Sequence, residues 1–148
     1  PGSADIANDR RMGFRAAAAE HGCECREGWI KHTDGTLQSG RAAAAELLTA
    51  PDRPEAVVCS SNLLAFAFAE AARELGVTIP GDVQLITFDR YPYSPLISPE
   101  PTLVQIDVRD MGRAAAKQLL QELKKPELRV RSFTTLPSLI EGKSTRLI

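Results

Sequence analysis

The sequence lacks the features that mark several large classes of protein. No apolar run reaches about 18 residues, which predicts that no segment spans a membrane. The opening residues Pro1–Asp5 contain neither the basic nor the apolar region of an export signal. Lysine and arginine number 18 against 19 aspartate and glutamate, giving a formal net charge of −1 without a clustered basic stripe. Charge alone would therefore not drive binding to nucleic acid.

Motifs for catalysis and metal binding are also missing. The sequence contains no G-x-S-x-G, no P-loop and no G-x-G-x-x-G. His21 and His32 are not spaced for a metal site, and Cys23 and Cys25 lack a second pair of ligands. Cys59 lies inside an apolar stretch, where a small buried hydrophobe is a commoner role than a nucleophile. We therefore predict that the chain is not an enzyme and needs no metal or cofactor.

Length, composition and cysteine count favour one ordinary globular unit. The 148 residues are 43% hydrophobic and 25% charged, which suits a single compact domain with a solvated surface. Three cysteines are an odd number, which is simplest to explain in a reducing compartment. We therefore predict a cytoplasmic location.

Helix-like and strand-like stretches alternate along most of the chain. The apolar spacing and the positions of glycine and proline predict helices over 9–21, 39–49, 62–75 and 109–123. They predict strands over 26–31, 55–60, 83–88, 102–106 and 129–136, and a proline-rich loop over 91–101. This alternation indicates an α/β fold in which helices flank both faces of a parallel sheet.

Polar residues follow the predicted strands at the edge where open α/β sheets bind ligands. Asp34 follows the first strand, Ser61 and Asn62 follow the second, and Asp89 directly follows the third. Arg10, in the first turn of the first predicted helix, lies near the same edge. Carboxylates accept hydrogen bonds from sugar hydroxyls and a guanidinium donates several, so this set suits a polyhydroxylated ligand.

Each of these residues also has a purely structural explanation. Ser61 or Asn62 would serve as the N-cap of the helix that they open. Asp89 would cap its own loop, and Arg10 would be a solvated surface charge. The sequence alone leaves both interpretations open.

The helix predicted over 62–75 carries two apolar residues outside its main stripe. The stripe that should face the sheet consists of Leu64, Phe68, Ala71, Ala72 and Leu75. Leu63 and Phe66 fall outside it, and an exposed phenylalanine beside a leucine suggests a partner surface, here a homodimer contact. The alternative is that the loop Tyr91–Pro101 covers them.

Several short motifs occur in a fixed order over nearly the whole chain. They are RRMGF at 10–14, RPEAVVCSSN at 53–62, ELGVTIPGDVQLITFD at 74–89, SPEPTLV at 98–104, MG at 111–112 and LPSLIEGKST at 136–145. Each motif is weak alone, but the ordered set is specific. Together they resemble the effector-binding region of lactose-repressor-type (LacI) transcription regulators.

The resemblance implies a periplasmic-binding-protein-like fold of type I, with two Rossmann-like subdomains around an effector cleft. It implies that residues 1–101 form mainly the carboxy-terminal subdomain and that 102–148 form a crossing and return segment, with the DNA-binding headpiece absent. Family effector contacts fall on Arg10, on Ser61 or Asn62, and on Asp89. Phe66 falls at a family dimer contact.

These observations predict the ligand-sensing and dimerisation portion of a LacI-type regulator. The resemblance implies a sugar or sugar phosphate as effector, and contact with operator DNA only through the absent headpiece. The alternative is a periplasmic sugar-binding protein of a transporter, which shares the fold. The odd cysteine count and the tail beginning at Lys143 argue against that alternative.

Overall fold

Helices and strands alternate through the residues that the computed structural model describes, which are 3–90, 96–124 and 134–146. The helices are α1 (Ser3–Glu20), α2 (Leu37–Thr49), α3 (Asn62–Glu74) and α4 (Val108–Lys124). The strands are β1 (Ala56–Cys59), β2 (Gln84–Phe88), β3 (Thr102–Gln105) and β4 (Ser138–Ile140). Apart from two strands treated below, the predicted elements are confirmed to within a few residues at most of their ends, with α1 starting six residues early.

The four strands form one sheet in the order β1-β2-β3-β4. The first three are parallel, with Val57 opposite Leu85 and Ile86 opposite Thr102. β4 pairs with β3 antiparallel, with Leu139 opposite Val104. The predicted fold class is confirmed, with the correction that the sheet is mixed at its β4 edge.

The core lies between the sheet and α3, whose small residues allow close packing. Ala65 and Phe68 of α3 and Leu85 of β2 are almost fully buried. Burial of a large side chain such as Phe68 stabilises the fold by roughly 1.5–3 kcal/mol. On the outer side of α3, Gly40 of α2 sits so close that an added Cβ would lie 2.8 Å from Leu64 Cδ2. The glycine thus sets the close contact between α2 and α3.

The strand predicted over 26–31 is wrong. Residues Glu27–Trp29 form a single 3-10 turn, and the chain after them pairs with no strand among the described residues. Side chains hold the segment instead: Trp29 Nε1 donates to the Asp52 carbonyl at 2.9 Å, and Arg26 pairs with the Asp52 carboxylate at 2.7 Å. A strand needs a neighbour for its backbone groups, and apolar spacing does not reveal whether one is present.

The last strand also differs from its prediction. Of the predicted range 129–136, residues 129–133 lie outside the described part of the chain, and 134–136 are irregular. The strand found instead is β4. It begins at Ser138, because β3 ends at Gln105, the residue that lies opposite Ser138. In the loop predicted over 91–101, residues 91–95 also lie outside the described residues.

Residues 142–145 tie the end of the chain to β2 and β3. Ser144 is fully buried, and its hydroxyl donates to the Leu85 carbonyl and accepts from the Thr102 backbone N–H at 2.8 Å. The Leu85 N–H donates to the Ser144 carbonyl at 3.0 Å, and the hydroxyls of Thr102 and Thr145 lie 2.7 Å apart. We call residues 142–145 the clasp.

Asp34 organises the turn that precedes α2. One of its carboxylate oxygens, Oδ1, accepts hydrogen bonds from the Thr36 N–H at 2.9 Å, the Thr36 hydroxyl at 2.7 Å and the Ser39 hydroxyl. Thr36 is the N-cap of α2 and accepts from the Ser39 N–H. The hydroxyls of Ser39 and Thr36 lower the pKa of Asp34 to about 2, since they stabilise the charged carboxylate.

Replacing Ser144 by alanine removes both hydrogen bonds of a buried hydroxyl and leaves the Thr102 N–H and the Leu85 carbonyl short of a partner. We expect Ser144→Ala to lower the free energy of unfolding by about 1–3 kcal/mol in urea titrations. Ser138→Ala is the matched control, because that exposed hydroxyl makes one long contact of 3.5 Å to the Gln105 carbonyl. Equal stability of the two variants would show that the Ser144 hydroxyl contributes nothing.

Asp34 should make stability depend on pH in the acid range. Its folded pKa of about 2 is below the ordinary value of 3.8, so its contribution is present above pH 3.8 and is lost as pH falls toward 2. We expect Asp34→Asn to be less stable than wild type at pH 6, and the difference to shrink between pH 4 and 2. Urea unfolding across this range measures it, with Asp9→Asn correcting for the lost charge. A difference that does not change with pH would contradict this assignment.

Candidate functional site

The guanidinium of Arg10 joins α1 to the carboxyl ends of β1 and β2. Its Nη1 donates to the Ser60 carbonyl at 2.6 Å, and its Nη2 lies 3.3 Å from Asp89 Oδ2. Its Cζ stacks over the Phe88 ring, 4.1 Å from the centroid. The side chains of Arg10 and Asp89 are 21% and 25% exposed, so the pair is partly shielded from water yet reachable. Three separate contacts therefore fix one charged group at the ligand-binding edge predicted from the sequence.

Asp89 is held in an uncommon backbone conformation. Its φ is +60°, a left-handed value that few residues other than glycine adopt and that often occurs at functional sites. Its N–H donates to the Val104 carbonyl at 2.9 Å, and its carbonyl accepts from Asn62 Nδ2 at 3.4 Å. Contacts from β3 and α3 thus keep the turn in place.

The second carboxylate oxygen of Asp89 has an unmet requirement. Oδ1 is enclosed and accepts no hydrogen bond from the described residues. An enclosed carboxylate oxygen without a donor is unfavourable, and a donor on a bound molecule would relieve it. Among the described residues predicted for the site, Asp89 thus has a carboxylate oxygen whose acceptor capacity is unused.

Asn62 and Ser61 have different roles at the start of α3. Asn62 is 1% exposed and holds the Asp89 carbonyl, so it supports the turn. Ser61 is the N-cap of α3, with its hydroxyl accepting from the Leu64 N–H at 3.4 Å. For Ser61 the structure therefore shows the capping role that the sequence left open.

Asp34 stands apart from this group. Its carboxylate accepts the hydrogen bonds of its own turn, and none of the contacts that join Arg10, Asn62 and Asp89 involves it. The structure thus brings three of the five predicted ligand-binding residues into one hydrogen-bonded group. Ser61 is adjacent to that group in the chain.

Two members of the site are not among the five predicted residues. Phe88 supplies the ring under Arg10, and Ser60 supplies a backbone carbonyl. Strand alternation could have found Phe88, because Leu85 and Thr87 are buried on one face of β2 and Phe88 lies on the other. No sequence signal marks a backbone carbonyl.

Neither metal nor thiol chemistry gains support from the described residues. They contain no cluster of three or more histidine, cysteine, aspartate or glutamate side chains that could hold a metal ion. Cys59 is buried as predicted, and burial raises the pKa of its thiol to about 12, so it stays protonated near neutrality. None of the helices within the described ranges has the length and apolarity to cross a bilayer.

The proposed partner surface on α3 is smaller than the sequence predicts. Leu63 is 39% exposed, as predicted. Phe66 is partly buried, because it packs on the main hydrophobic cluster. The prediction that Phe66 is exposed is therefore wrong. Ile97, from the loop that was the alternative cover, belongs to that cluster.

Comparison with known proteins identifies the family. The family model for the periplasmic binding protein-like domain matches residues 1–145. The repressor PurR of Photobacterium profundum is 30% identical over 138 residues, covering 93% of this chain and 41% of PurR. The regulator MalR of Streptomyces coelicolor is 35% identical over 116 residues, covering 78% and 33% of the two chains.

Solved structures agree. A LacI-family regulatory protein from Chloroflexus aggregans superposes with a TM-score of 0.85 at 29% identity, covering 94% of this chain and 50% of that one. A complex of the regulator CelR with cellobiose gives 0.81 at 29% identity, covering 91% and 41%. The chain thus spans half or less of these proteins. It belongs to the periplasmic binding protein-like domain family, and its relatives place it with the effector-binding regions of LacI-type transcriptional regulators.

Proposed function

We propose that this chain is the ligand-sensing and dimerisation portion of a LacI-type transcriptional regulator that responds to a sugar or sugar phosphate. The enclosed oxygen of Asp89, next to a guanidinium held by Ser60 and Phe88, is the observation that carries the proposal. The Asp89 oxygen supplies a hydrogen-bond acceptor, and the Arg10 guanidinium supplies donors close to it. Vicinal hydroxyls need both, because each hydroxyl donates and accepts hydrogen bonds. An anionic sugar phosphate would in addition be attracted by Arg10.

The regulator interpretation is favoured over a transporter component. The relatives described above are transcriptional regulators, and one of them was solved with cellobiose, a disaccharide. The effector of this chain is proposed only as a class, since those names belong to other proteins. We propose a cytoplasmic protein that is not an enzyme and that contacts operator DNA through a headpiece outside these 148 residues.

Binding would act by shifting a conformational equilibrium. A ligand that bridges Asp89 to a facing surface favours the closed arrangement of the cleft by its differential affinity for that state. The same free energy changes the affinity of a distant DNA-binding segment, because the two equilibria are linked. Asn62 connects the Asp89 turn to the start of α3. A movement of that turn would therefore be transmitted to a contact between α3 and a partner subunit.

We further propose that the beginning of α3, with Leu63 at its centre and Phe66 beside it, contributes to a homodimer contact. Leu63 is an exposed leucine next to the buried Asn62. Phe66 retains some exposure while its ring is supported by the core, so it would present a rigid edge to a partner.

The ligand site is tested by Arg10→Ala and Asp89→Asn in the complete polypeptide. Each removes a charge-assisted hydrogen bond, so we expect roughly 10- to 100-fold weaker binding for whichever sugar or sugar phosphate stabilises the wild type. The measurement is a thermal-shift screen followed by calorimetry, with cellobiose and glucose 6-phosphate among the probes. Arg15→Ala is the control, because Arg15 lies on the same helix and pairs with exposed Glu27. Unchanged affinity in both site variants would remove the site assignment.

The dimer surface is tested by Leu63→Arg. A charge at the centre of the contact should convert dimers to monomers in sedimentation at micromolar concentration, because it would be desolvated on association. Leu75→Arg is the matched control, since Leu75, which was predicted to face the sheet, is instead 45% exposed at the C-cap of α3. A dimer that survives Leu63→Arg, or that Leu75→Arg disrupts equally, contradicts the assignment. Phe66→Arg is less suitable, because Phe66 packs on the core.

A further inference from the structure

Thr87, in the middle of the sheet, carries a hydroxyl whose hydrogen-bonding capacity is unused. Thr87 is 0% exposed, and its Oγ1 has no hydrogen-bond partner among the described residues. Buried hydroxyls in folded proteins nearly always have a partner, because an unpaired one is unfavourable. The buried hydroxyl of Thr102 follows this rule, since it lies 2.7 Å from Thr145 Oγ1 and accepts from the Gly142 N–H at 3.0 Å. The hydroxyl of Thr87 therefore requires an explanation.

Thr87 faces the core on the α3 side of the sheet. Side chains alternate along a strand, so Thr87 points to the same face as Leu85, which belongs to the main hydrophobic cluster with residues of α3. Cys59 of β1 lies directly opposite Thr87 and belongs to the same cluster. Leu103 of β3 lies opposite Thr87 on its other side and is 1% exposed. The hydroxyl is therefore enclosed between strands and helix, without contact to bulk solvent.

Two polar side chains lie beside this hydroxyl. Asn62, the first residue of α3, is 1% exposed, and its Nδ2 donates to the Asp89 carbonyl at 3.4 Å. Asp89 follows Thr87 by two residues, so the Asn62 side chain crosses the end of β2 close to Thr87. Cys59 supplies a thiol, which is a weak donor and acceptor. No direct hydrogen bond joins Thr87 Oγ1 to either side chain.

Small side chains surround these polar groups. Ala65 lies one turn after Asn62, so it faces the sheet beside Asn62, and it is 0% exposed. The side chains of Thr87 and Cys59 extend only one atom beyond Cβ. Where enclosed polar groups lie close together without bonding directly, proteins hold buried water, which makes about three hydrogen bonds to such groups.

We propose that one buried water molecule binds at the start of α3 and bridges the Thr87 hydroxyl to the Asn62 side chain. The carboxamide oxygen of Asn62 has two lone pairs, so it can accept from this water in addition to its other contacts. The thiol of Cys59 is a third, weak partner. Water is the occupant that we infer, because all three side chains are uncharged and an ion would be strongly disfavoured among them.

The bridge would fix the orientation of the Asn62 carboxamide. The terminal torsion of asparagine is broad and roughly two-fold, so the group needs contacts on both of its atoms to be held in one orientation. A water on its oxygen would keep its nitrogen directed at the Asp89 carbonyl. Thr87 would thus help to hold the turn that carries the proposed ligand site. This consequence rests on the proposed function, whereas the water site does not, and it would remain if Asp89 bound no effector.

Crystal structures of the complete polypeptide test the water site, in the wild type, Thr87→Ser and Thr87→Val. At a resolution that shows ordered waters, we expect a wild-type density peak about 2.5–3.2 Å from both Thr87 Oγ1 and the Asn62 side chain. The peak should persist in Thr87→Ser, which keeps the hydroxyl, and be lost in Thr87→Val, which has the same shape without it. Three results would overturn the proposal: no wild-type peak, a direct bond from Thr87 to another protein group, or a peak that persists in Thr87→Val.

Stability in solution checks the same assignment. Thr102→Val is the matched control, because it removes a buried threonine hydroxyl whose partners lie within the protein. If water satisfies the Thr87 hydroxyl, Thr87→Val should raise the equilibrium constant for unfolding in urea roughly 3- to 10-fold, as Thr102→Val should. If the hydroxyl has no partner, valine removes an unsatisfied group without the loss of a bond. A Thr87→Val variant as stable as the wild type, or more stable, therefore overturns the proposal.

Discussion

The contact between Arg10 and the carboxyl edge of the sheet is the interaction on which the rest of the site depends. It is made by one side chain that joins α1 to the ends of β1 and β2 through a carbonyl, a carboxylate and an aromatic ring. Guanidinium is suited to this, because its planar donors bond in several directions while its face stacks on the ring. A lysine would keep the charge and lose the simultaneous contacts. The position of α1 therefore depends on a group that also belongs to the proposed ligand site.

The start of α3 places the proposed ligand site and the proposed dimer contact on neighbouring residues. Asn62 holds the turn of Asp89, and Leu63, the next residue, lies on the surface proposed for the partner subunit. A small rotation at this helix end, caused by a ligand on Asp89, would be passed to the interface without a long chain of contacts. We expect α3 to move as a rigid unit. Its buried alanines pack closely against α2 and the sheet, which leaves little space for its side chains to repack.

The sequence was most informative where local chemistry is sufficient. Apolar stretches with nearby glycine and proline located β1, β2 and α3, and the rule for strand ends brought Arg10, Asn62 and Asp89 to one edge. It failed where a partner decides the outcome. Residues 26–31 have strand-like residues but no neighbouring strand among the described residues, and Phe66 has exposed spacing but a supporting core beneath it. Hydrogen bonding to Ser60 depends on a carbonyl, which every residue possesses. The division at residue 101 stays a prediction.

The clasp affects the order in which parts of the chain fold. Ser144 completes the hydrogen bonding of Leu85 and Thr102, which precede it by 59 and 42 residues. These contacts close long loops of the chain. The loss of chain entropy on closing such loops slows folding, so we expect these contacts to form late. During synthesis, β2 and β3 emerge before residues 142–145, so these backbone groups of Leu85 and Thr102 lack their partners until the clasp has been made. Removal of the clasp from the chain would therefore leave backbone groups of Leu85 and Thr102, at the centre of the sheet, without these hydrogen-bond partners.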